Sequence, residues 1–217
     1  MDLYIKNGRV LRDGSFQKAN ITVQEGRIVS MGDQSNTRTL PELDTLGRRI
    51  VPGFIDVHTH GGVGVDVNHA GAEDMAKVSR YFASQGVTGY LASIATDAER
   101  STMRAIGQIR AAMEDNAQGA AILGIHLEGP FLSPDYKGAM AERYLKNADT
   151  GLFERYCAEA GGAVRYMTVS PEVTGAMELI DKAVSLGVVV AMGHSGGDSE
   201  TAMACIDRGV AASTHTF

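Results

Sequence analysis

The sequence predicts an α/β protein in which a small β-rich segment, residues 1–52, is followed over residues 53–217 by the first six strand–helix units of a parallel (β/α)8 barrel of TIM type. Three observations predict it. Before Pro52, short β-prone runs are cut by glycine turns. After Gly53, near-continuous apolar strands alternate with amphipathic helical patterns. The strands of that second part end in histidines, a glutamate and hydroxyl residues.

In the first segment the runs Leu3-Tyr4-Ile5, Arg9-Val10-Leu11, Ala19 to Val23 and Arg27-Ile28-Val29 are separated by Asn7-Gly8, Asp13-Gly14 and Glu25-Gly26. Each of those dipeptides is expected to turn a hairpin. The polar stretch Gly32 to Asp44 reads as a loop, and Pro52-Gly53 marks the change of architecture.

From there the expected strands are Phe54 to His58, Gly89 to Ile94, Ala121 to Leu127, Val164 to Val169, Val188 to Met192 and Val210 to Thr214. Helical patterns fill the gaps at Ala72 to Gln85, Ala98 to Glu114, Gly151 to Ala160, Thr174 to Leu186 and Asp198 to Asp207. Their apolar residues recur three and four apart, as in Met177, Ile180 and Val184. Gly86, Gly187 and Gly209 follow three of these patterns, where a left-handed helix cap is expected.

Apolar strands joined by helices imply parallel pairing buried on both faces. Right-handed crossovers leave an open doubly wound sheet or a closed barrel. The polar residues decide between them. A nucleotide-binding sheet needs a glycine-rich first turn, whereas the turn here is His58-Thr59-His60-Gly61-Gly62-Val63-Gly64. In a barrel, functional side chains come from the ends of several strands and converge on one face. The endings His58-Thr59-His60, Ser93, Glu128, Ser170-Pro171, His194-Ser195 and His215 fit that pattern.

Composition narrows the function classes. With 44% hydrophobic and 21% charged residues and a net charge of -6, the chain has no basic excess to attract nucleic acid. No stretch approaches the roughly 20 apolar residues of a membrane span, and the start lacks a signal pattern, so a cytoplasmic protein is expected. Cys157 and Cys205 lie in helical patterns and read as reduced, buried thiols.

Strand residues two apart point the same way, so Asp56, His58 and His60 share a face. Two imidazoles at that spacing can hold a divalent cation, with Asp56 orienting a ring. Glu128, His194 and His215 enlarge this to a nitrogen and oxygen set suited to zinc, iron or manganese. His126 shares a face with Glu128 and is expected to support the site from outside the ligand set. His69 reads as a solvated surface residue.

At these residues the chain resembles a known family. Pro52-Gly53-Phe54-Ile55-Asp56-Val57-His58-Thr59-His60-Gly61 is similar to the opening strand of the amidohydrolase superfamily, whose members join a small β-sandwich to a metal-dependent barrel. Within it, Gly124 to Leu132, Lys137-Gly138-Ala139, Gly193-His194-Ser195 and Thr214-His215-Thr216-Phe217 look like the N-acetylglucosamine-6-phosphate deacetylase family. The resemblance implies a principal metal site at Glu128, His194 and His215 and a second at His58 and His60, hence one or two divalent ions. It implies a substrate loop at Gly138, Ala139 and Met140. Val164 to Val169 contains no lysine, so Glu128 would take the bridging part that a carboxylated lysine plays in dihydroorotase-like and hydantoinase-like relatives.

The implied activity is hydrolysis of the acetamide of N-acetylglucosamine 6-phosphate to acetate and glucosamine 6-phosphate, a step of amino sugar catabolism. Met140 stands where the family usually has a histidine, which leaves a related N-acetyl amino sugar phosphate open as substrate. The family's proton-transferring aspartate belongs to the eighth strand, and this sequence reads only to the sixth. The expectation is therefore an N-terminal fragment, inactive alone, of an enzyme that is a homodimer at full length. The alternative is a non-catalytic, metal-binding remnant.

Overall fold

The computed structural model describes residues 1–36, 39–114 and 119–216. Contacts divide the chain into two compact units, Met1–Gly53 and Phe54–Phe217. Phe217, the last residue of the histidine motif read above, lies outside the described residues, as do Thr37 and Arg38 of the polar stretch.

The first unit is a five-stranded sheet of β1 (Leu3–Arg12), β2 (Ser15–Gln24), β3 (Arg27–Gly32), β4 (Glu42–Asp44) and β5 (Arg49–Ile50), in the order β3-β2-β1-β4 with β5 also pairing β1. Two of the three expected hairpin turns are present. Asp13-Gly14 and Glu25-Gly26 both take positive φ at both residues, as the tight turn requires. Asn7-Gly8 instead lies inside one unbroken strand. Lys6 and Asn7 together face Asn20, because Ile5 pairs with Ile21 and Gly8 with Ala19. This is a β-bulge. Asn7, at φ 58, donates its backbone N–H to the Asn20 side chain and its amide to Asp44, which anchors the extra residue without turning the chain. The Gly32 to Asp44 loop likewise ends in a strand, since β4 runs parallel to β1 and pairs Tyr4 with Glu42. Val10, Ala19 and Ile21 form a small core, with Met31 and Ile50 against it.

The second unit carries the alternation read from the sequence. Its strands and helices follow as β6 (Phe54–Thr59), the short hairpin β7 (Gly61–Gly62) and β8 (Val65–Asp66), α1 (Ala72–Ser84), β9 (Val87–Ala95), α2 (Glu99–Glu114), β10 (Ala121–Glu128), α3 (Thr150–Ala160), β11 (Val164–Val169), α4 (Ala176–Ser185), β12 (Val189–Met192), α5 (Ser199–Asp207) and β13 (Ala212–Ser213). Two short 3-10 turns, Pro134–Tyr136 and Glu142–Tyr144, interrupt the long connection after β10.

The six main strands are ordered β13-β12-β11-β10-β9-β6, and every adjacent pair is parallel. Each strand therefore adds beside its predecessor, always on the same side. A doubly wound sheet reverses direction at a switch point, and this one does not. It is a partial barrel of six strands.

Periodicity explains the helix packing. Met75, Val78 and Phe82 of α1, Ile106 and Ile109 of α2, and Leu179, Ile180 and Ala183 of α4 face Tyr90, Ile125, Met167 and Val190 of the sheet in one continuous core. Val184, expected on that stripe, is 38% exposed, and Ala183 takes the inward position. Asp149 and Asp198 start α3 and α5 by accepting the Leu152 and Thr201 backbone N–H groups at 2.9 and 2.8 Å. Gly86, Gly187 and Gly209 take positive φ just past α1, α4 and α5, as the sequence predicts. The last strand is shorter than expected. Val210 packs in the core, and only Ala212 and Ser213 pair with β12.

Candidate metal centre

Five side chains from four strand ends meet at one point, His58 and His60 both coming from the end of β6. Glu128, the last residue of β10, is 1% exposed, yet it is a carboxylate surrounded by four imidazole Nε2 atoms. Its Oε1 lies 3.3 Å from His58, 3.1 Å from His194 and 3.0 Å from His215, and its Oε2 lies 2.8 Å from His60. His58 and His60 bring their own Nε2 atoms to 3.2 Å. The donors form two triads, His58/His60/Glu128 and Glu128/His194/His215, which share Glu128.

Local backbone aims these side chains. β6 reaches Thr59, and its pairing with β9 slips between Asp56 and Thr59, which lets His58 and His60 both turn toward Glu128. His194 and His215 adopt φ 53 and 55 just beyond β12 and β13. Left-handed backbone is uncommon outside glycine and tends to occur where function demands it. Two such histidines, at equivalent places on neighbouring strands, each bend the chain so that the ring points back to Glu128.

The ring tautomers favour a cation. His60 donates its Nδ1–H to the Ser93 carbonyl at 3.1 Å, and His194 donates its Nδ1–H to the Tyr136 carbonyl at 3.0 Å. In the neutral rings Nε2 is then an acceptor, facing carboxylate oxygens that are also acceptors. Such an approach requires a proton or a metal ion between them. Metal–ligand bonds of about 2.0–2.1 Å put neighbouring ligand atoms about 2.9 Å apart in an octahedron and about 3.3 Å in a tetrahedron. The observed 2.8 to 3.3 Å separations match those edges, so the residues fit a divalent cation.

The charges agree with this geometry. Burial is the largest influence on the Glu128 carboxyl and opposes its ionisation, but the hydrogen bonds to His58 and His60, with the charge of His58 and the bond to His194, outweigh it. Its pKa is held far below the usual carboxylate range. The bond to Glu128 raises the His60 imidazole in turn. His126 differs. Burial first, then the nearby His58, pushes it down to about 3, so it is a neutral ring.

His126 stays outside the donor set. Its Nδ1 and Nε2 each lie 2.9 Å from a hydroxyl, of Ser93 and Thr168, and its ring stacks edge-on to His58 at 4.7 Å. Asp56 departs from its expected role, since it accepts the His58 backbone N–H at 3.0 Å and orients the chain instead of a ring. His69 is exposed, as read.

Of the expected loop residues, Gly138 lies against the centre: at φ 57, a Cβ there would lie 3.4 Å from His194 Cε1. Ala139 is exposed, and Met140 is half-buried with its backbone N–H donated to the Lys137 carbonyl. A cavity of about 460 Å³ opens beside His194 and His215, lined also by Tyr136, Ser195 and Thr216. Sequence reasoning missed Thr168 and the Tyr136 carbonyl. A threonine in an apolar strand and a backbone oxygen in a loop carry no distinguishing pattern.

Comparison with known proteins places these features. The amidohydrolase family profile matches residues 49–217. An N-acetylglucosamine-6-phosphate deacetylase from Bos taurus is 34% identical over 220 residues, covering 97% of this chain and 53% of the relative. The enzyme of the same name from Bacillus subtilis (strain 168) is 34% identical over 171 residues, covering 77% of this chain and 43% of its own length. A point mutant of N-acetyl-D-glucosamine-6-phosphate deacetylase from Mycobacterium smegmatis, in complex with N-acetyl-D-glucosamine-6-phosphate, superposes with a TM-score of 0.88 at 27% identity, covering 100% of this chain and 56% of that one. A dihydropyrimidinase from Brevibacillus agri shares the fold at a TM-score of 0.55 and 19% identity. The chain spans about half the length of the curated relatives it matches.

Proposed function

The chain belongs to the amidohydrolase family, and from that premise we propose that it carries the metal-holding half of an N-acetylglucosamine-6-phosphate deacetylase. The observation that carries the reading is the convergence of four imidazole Nε2 atoms on the buried Glu128 carboxylate. On this reading Glu128, His194 and His215 hold the principal ion, and His58 and His60, sharing Glu128, hold a second. Zinc, iron and manganese all suit this donor set.

A divalent ion held there lowers the pKa of water from about 15.7 towards 7 and polarises an amide carbonyl, which is the chemistry acetamide hydrolysis needs. Glu128 supplies the anionic charge that both triads share. Ser93 and Tyr136, through their carbonyls, keep the His60 and His194 lone pairs turned inward. Gly138 lets the loop backbone lie against His194, where the sugar is expected to sit in the adjacent cavity. Met140 offers that sugar an apolar surface and no hydrogen-bond donor, so a related N-acetyl amino sugar phosphate is the alternative substrate.

Proton delivery to the departing amine needs a further acid. Among the described residues Glu128 is the single carboxylate of the two triads, and its oxygens are already engaged. Proton transfer is therefore assigned to a group other than these ligands, and the 23.0 kDa chain is expected to bind metal without normal turnover. Elemental analysis after loading with zinc, iron(II) or manganese(II), with acetate release from N-acetylglucosamine 6-phosphate and its galactosamine epimer, tests both parts. A chain that takes up none of these ions sinks the ligand assignment. Rapid acetate release by the chain alone sinks the assignment of proton transfer elsewhere.

A further inference from the structure

Beside the donor cluster runs a buried row of polar side chains, one from each of four strand ends. Ser93 Oγ lies 2.9 Å from His126 Nδ1, His126 Nε2 lies 2.9 Å from Thr168 Oγ1, and Thr168 Oγ1 lies 2.9 Å from Thr214 Oγ1. The first three residues are 0% exposed and Thr214 is 7%. The row crosses β9, β10 and β11 and ends just past β13.

Every histidine of the cluster is tied to this row. Thr59, between His58 and His60, donates its backbone N–H to Ser93 Oγ at 3.0 Å. His60 donates its Nδ1–H to the carbonyl of the same serine. Thr214 directly precedes His215. Gly193 precedes His194, and a Cβ there would lie 2.7 Å from Thr214 Cβ and 2.9 Å from Thr168 Cγ2, so the row packs directly on that backbone.

Packing alone does not call for these groups. An imidazole and three hydroxyls at buried positions must each find partners, and a half-satisfied set is worse than an apolar one. Here each finds them in the others. The row adds to a short ladder: β13 is joined to β12 by two residue pairs, Ala191 with Ala212 and Met192 with Ser213, and the Thr214 backbone N–H donates to the Met192 carbonyl at 2.7 Å. Thr168 to Thr214 is the side-chain link that ties the start of the His215 turn to β11, across β12.

We propose that the Ser93–His126–Thr168–Thr214 row is a positioning device that sets the distance between the His58/His60 pair and the His194/His215 pair, and with it the geometry in which a cation is held. The inference rests on the metal-centre reading above. His126, Thr168 and Thr214 act through the ligands and touch neither ion nor substrate.

Cobalt(II) is the probe, since its visible absorption reports coordination geometry directly. The chain, Thr168→Val, Thr168→Ser and Thr214→Val are titrated with cobalt(II) against a competing chelator, with circular dichroism as the check on folding. Thr168→Val is expected to lose about 10–100-fold in affinity and to alter the visible bands, the size of effect that outer partners of ligands produce. Thr168→Ser, which keeps the hydroxyl, restores both. Thr214→Val weakens the Glu128/His194/His215 triad and leaves the His58/His60/Glu128 triad as it was. No cobalt binding by the unsubstituted chain overturns the metal-centre reading itself. A folded Thr168→Val with unchanged affinity and spectrum overturns the positioning role alone. If Thr168→Val does not fold, an unchanged Thr214→Val overturns it. If neither valine variant folds, the row supports the whole sheet and the positioning role also falls.

Discussion

Replacing Glu128 by glutamine separates the charge of the metal centre from its shape. The side chain keeps its volume, and its amide can donate to the Nε2 lone pair of His60 or His194, whose Nδ1–H groups are committed to backbone carbonyls. The metal-free E128Q protein is therefore expected to fold. What it loses is the anion common to both triads. A ligand present at 100 times its Kd stabilises a native protein by about 2.7 kcal/mol. For chains of 150–250 residues each kcal/mol moves Tm by about 2–4 °C, so zinc at that level should raise the Tm of the 217-residue chain by about 5–11 °C. A loss of affinity of 100-fold or more brings zinc down to about its new Kd and shrinks the rise to about 1–2 °C. Thermal unfolding followed by circular dichroism, with and without zinc, reads both numbers. An E128Q protein that gains as much from zinc as the unsubstituted chain would refute the claim that this carboxylate is the shared ligand.

Three further outcomes follow from particular contacts. Exchanging His215 for alanine removes a donor from one triad and none from the other, so elemental analysis should find metal retained at His58, His60 and Glu128 but reduced overall; full occupancy would contradict the two-triad arrangement. His126 is neutral in the fold, with its pKa lowered from 6.5 to about 3 by burial and then by His58, so the unfolded chain binds more protons as pH falls below 6.5. Stability present above that pH is lost on acidification, by about 2–3 kcal/mol at pH 4.5, and metal-free H126N should show a shallower decline in urea midpoint over the same window. Burial pushes the Cys157 thiol up from 9.0 to about 11, so alkylation at pH 8 in the folded protein should run about 100-fold slower than in urea, as thiolate fraction dictates; equal rates would place that thiol in solvent.

The alternation of β6 and β9 through β13 with α1 through α5 was legible because helix and strand periods differ and the central strands β9, β10 and β11 are largely buried, although Phe54, Ile55 and Val57 of the edge strand β6 are exposed. Helix ends were legible where Gly86, Gly187 and Gly209 had to take positive φ. Asn7-Gly8 misled because a bulge and a tight turn use the same residue types, and only the pairing partner, here Asn20 with its side-chain oxygen on the Asn7 N–H, distinguishes them. β4 was hidden in a polar stretch, since an exposed strand of three residues carries no apolar alternation.

By itself the sequence determined which residue types stand at the strand ends, and therefore that Glu128, His58, His60, His194 and His215 could form one set. It left His126 close to that set without saying how it is held. Only the tertiary structure decided that both its nitrogens are taken by Ser93 and Thr168, that Asp56 serves a backbone N–H, and that His194 and His215 bend back through left-handed backbone. The physical reason is range. Periodicity and capping act over a few residues, whereas the contacts of His126 and Glu128 that choose ligands from bystanders join positions 33 to 87 residues apart, and no local preference records them.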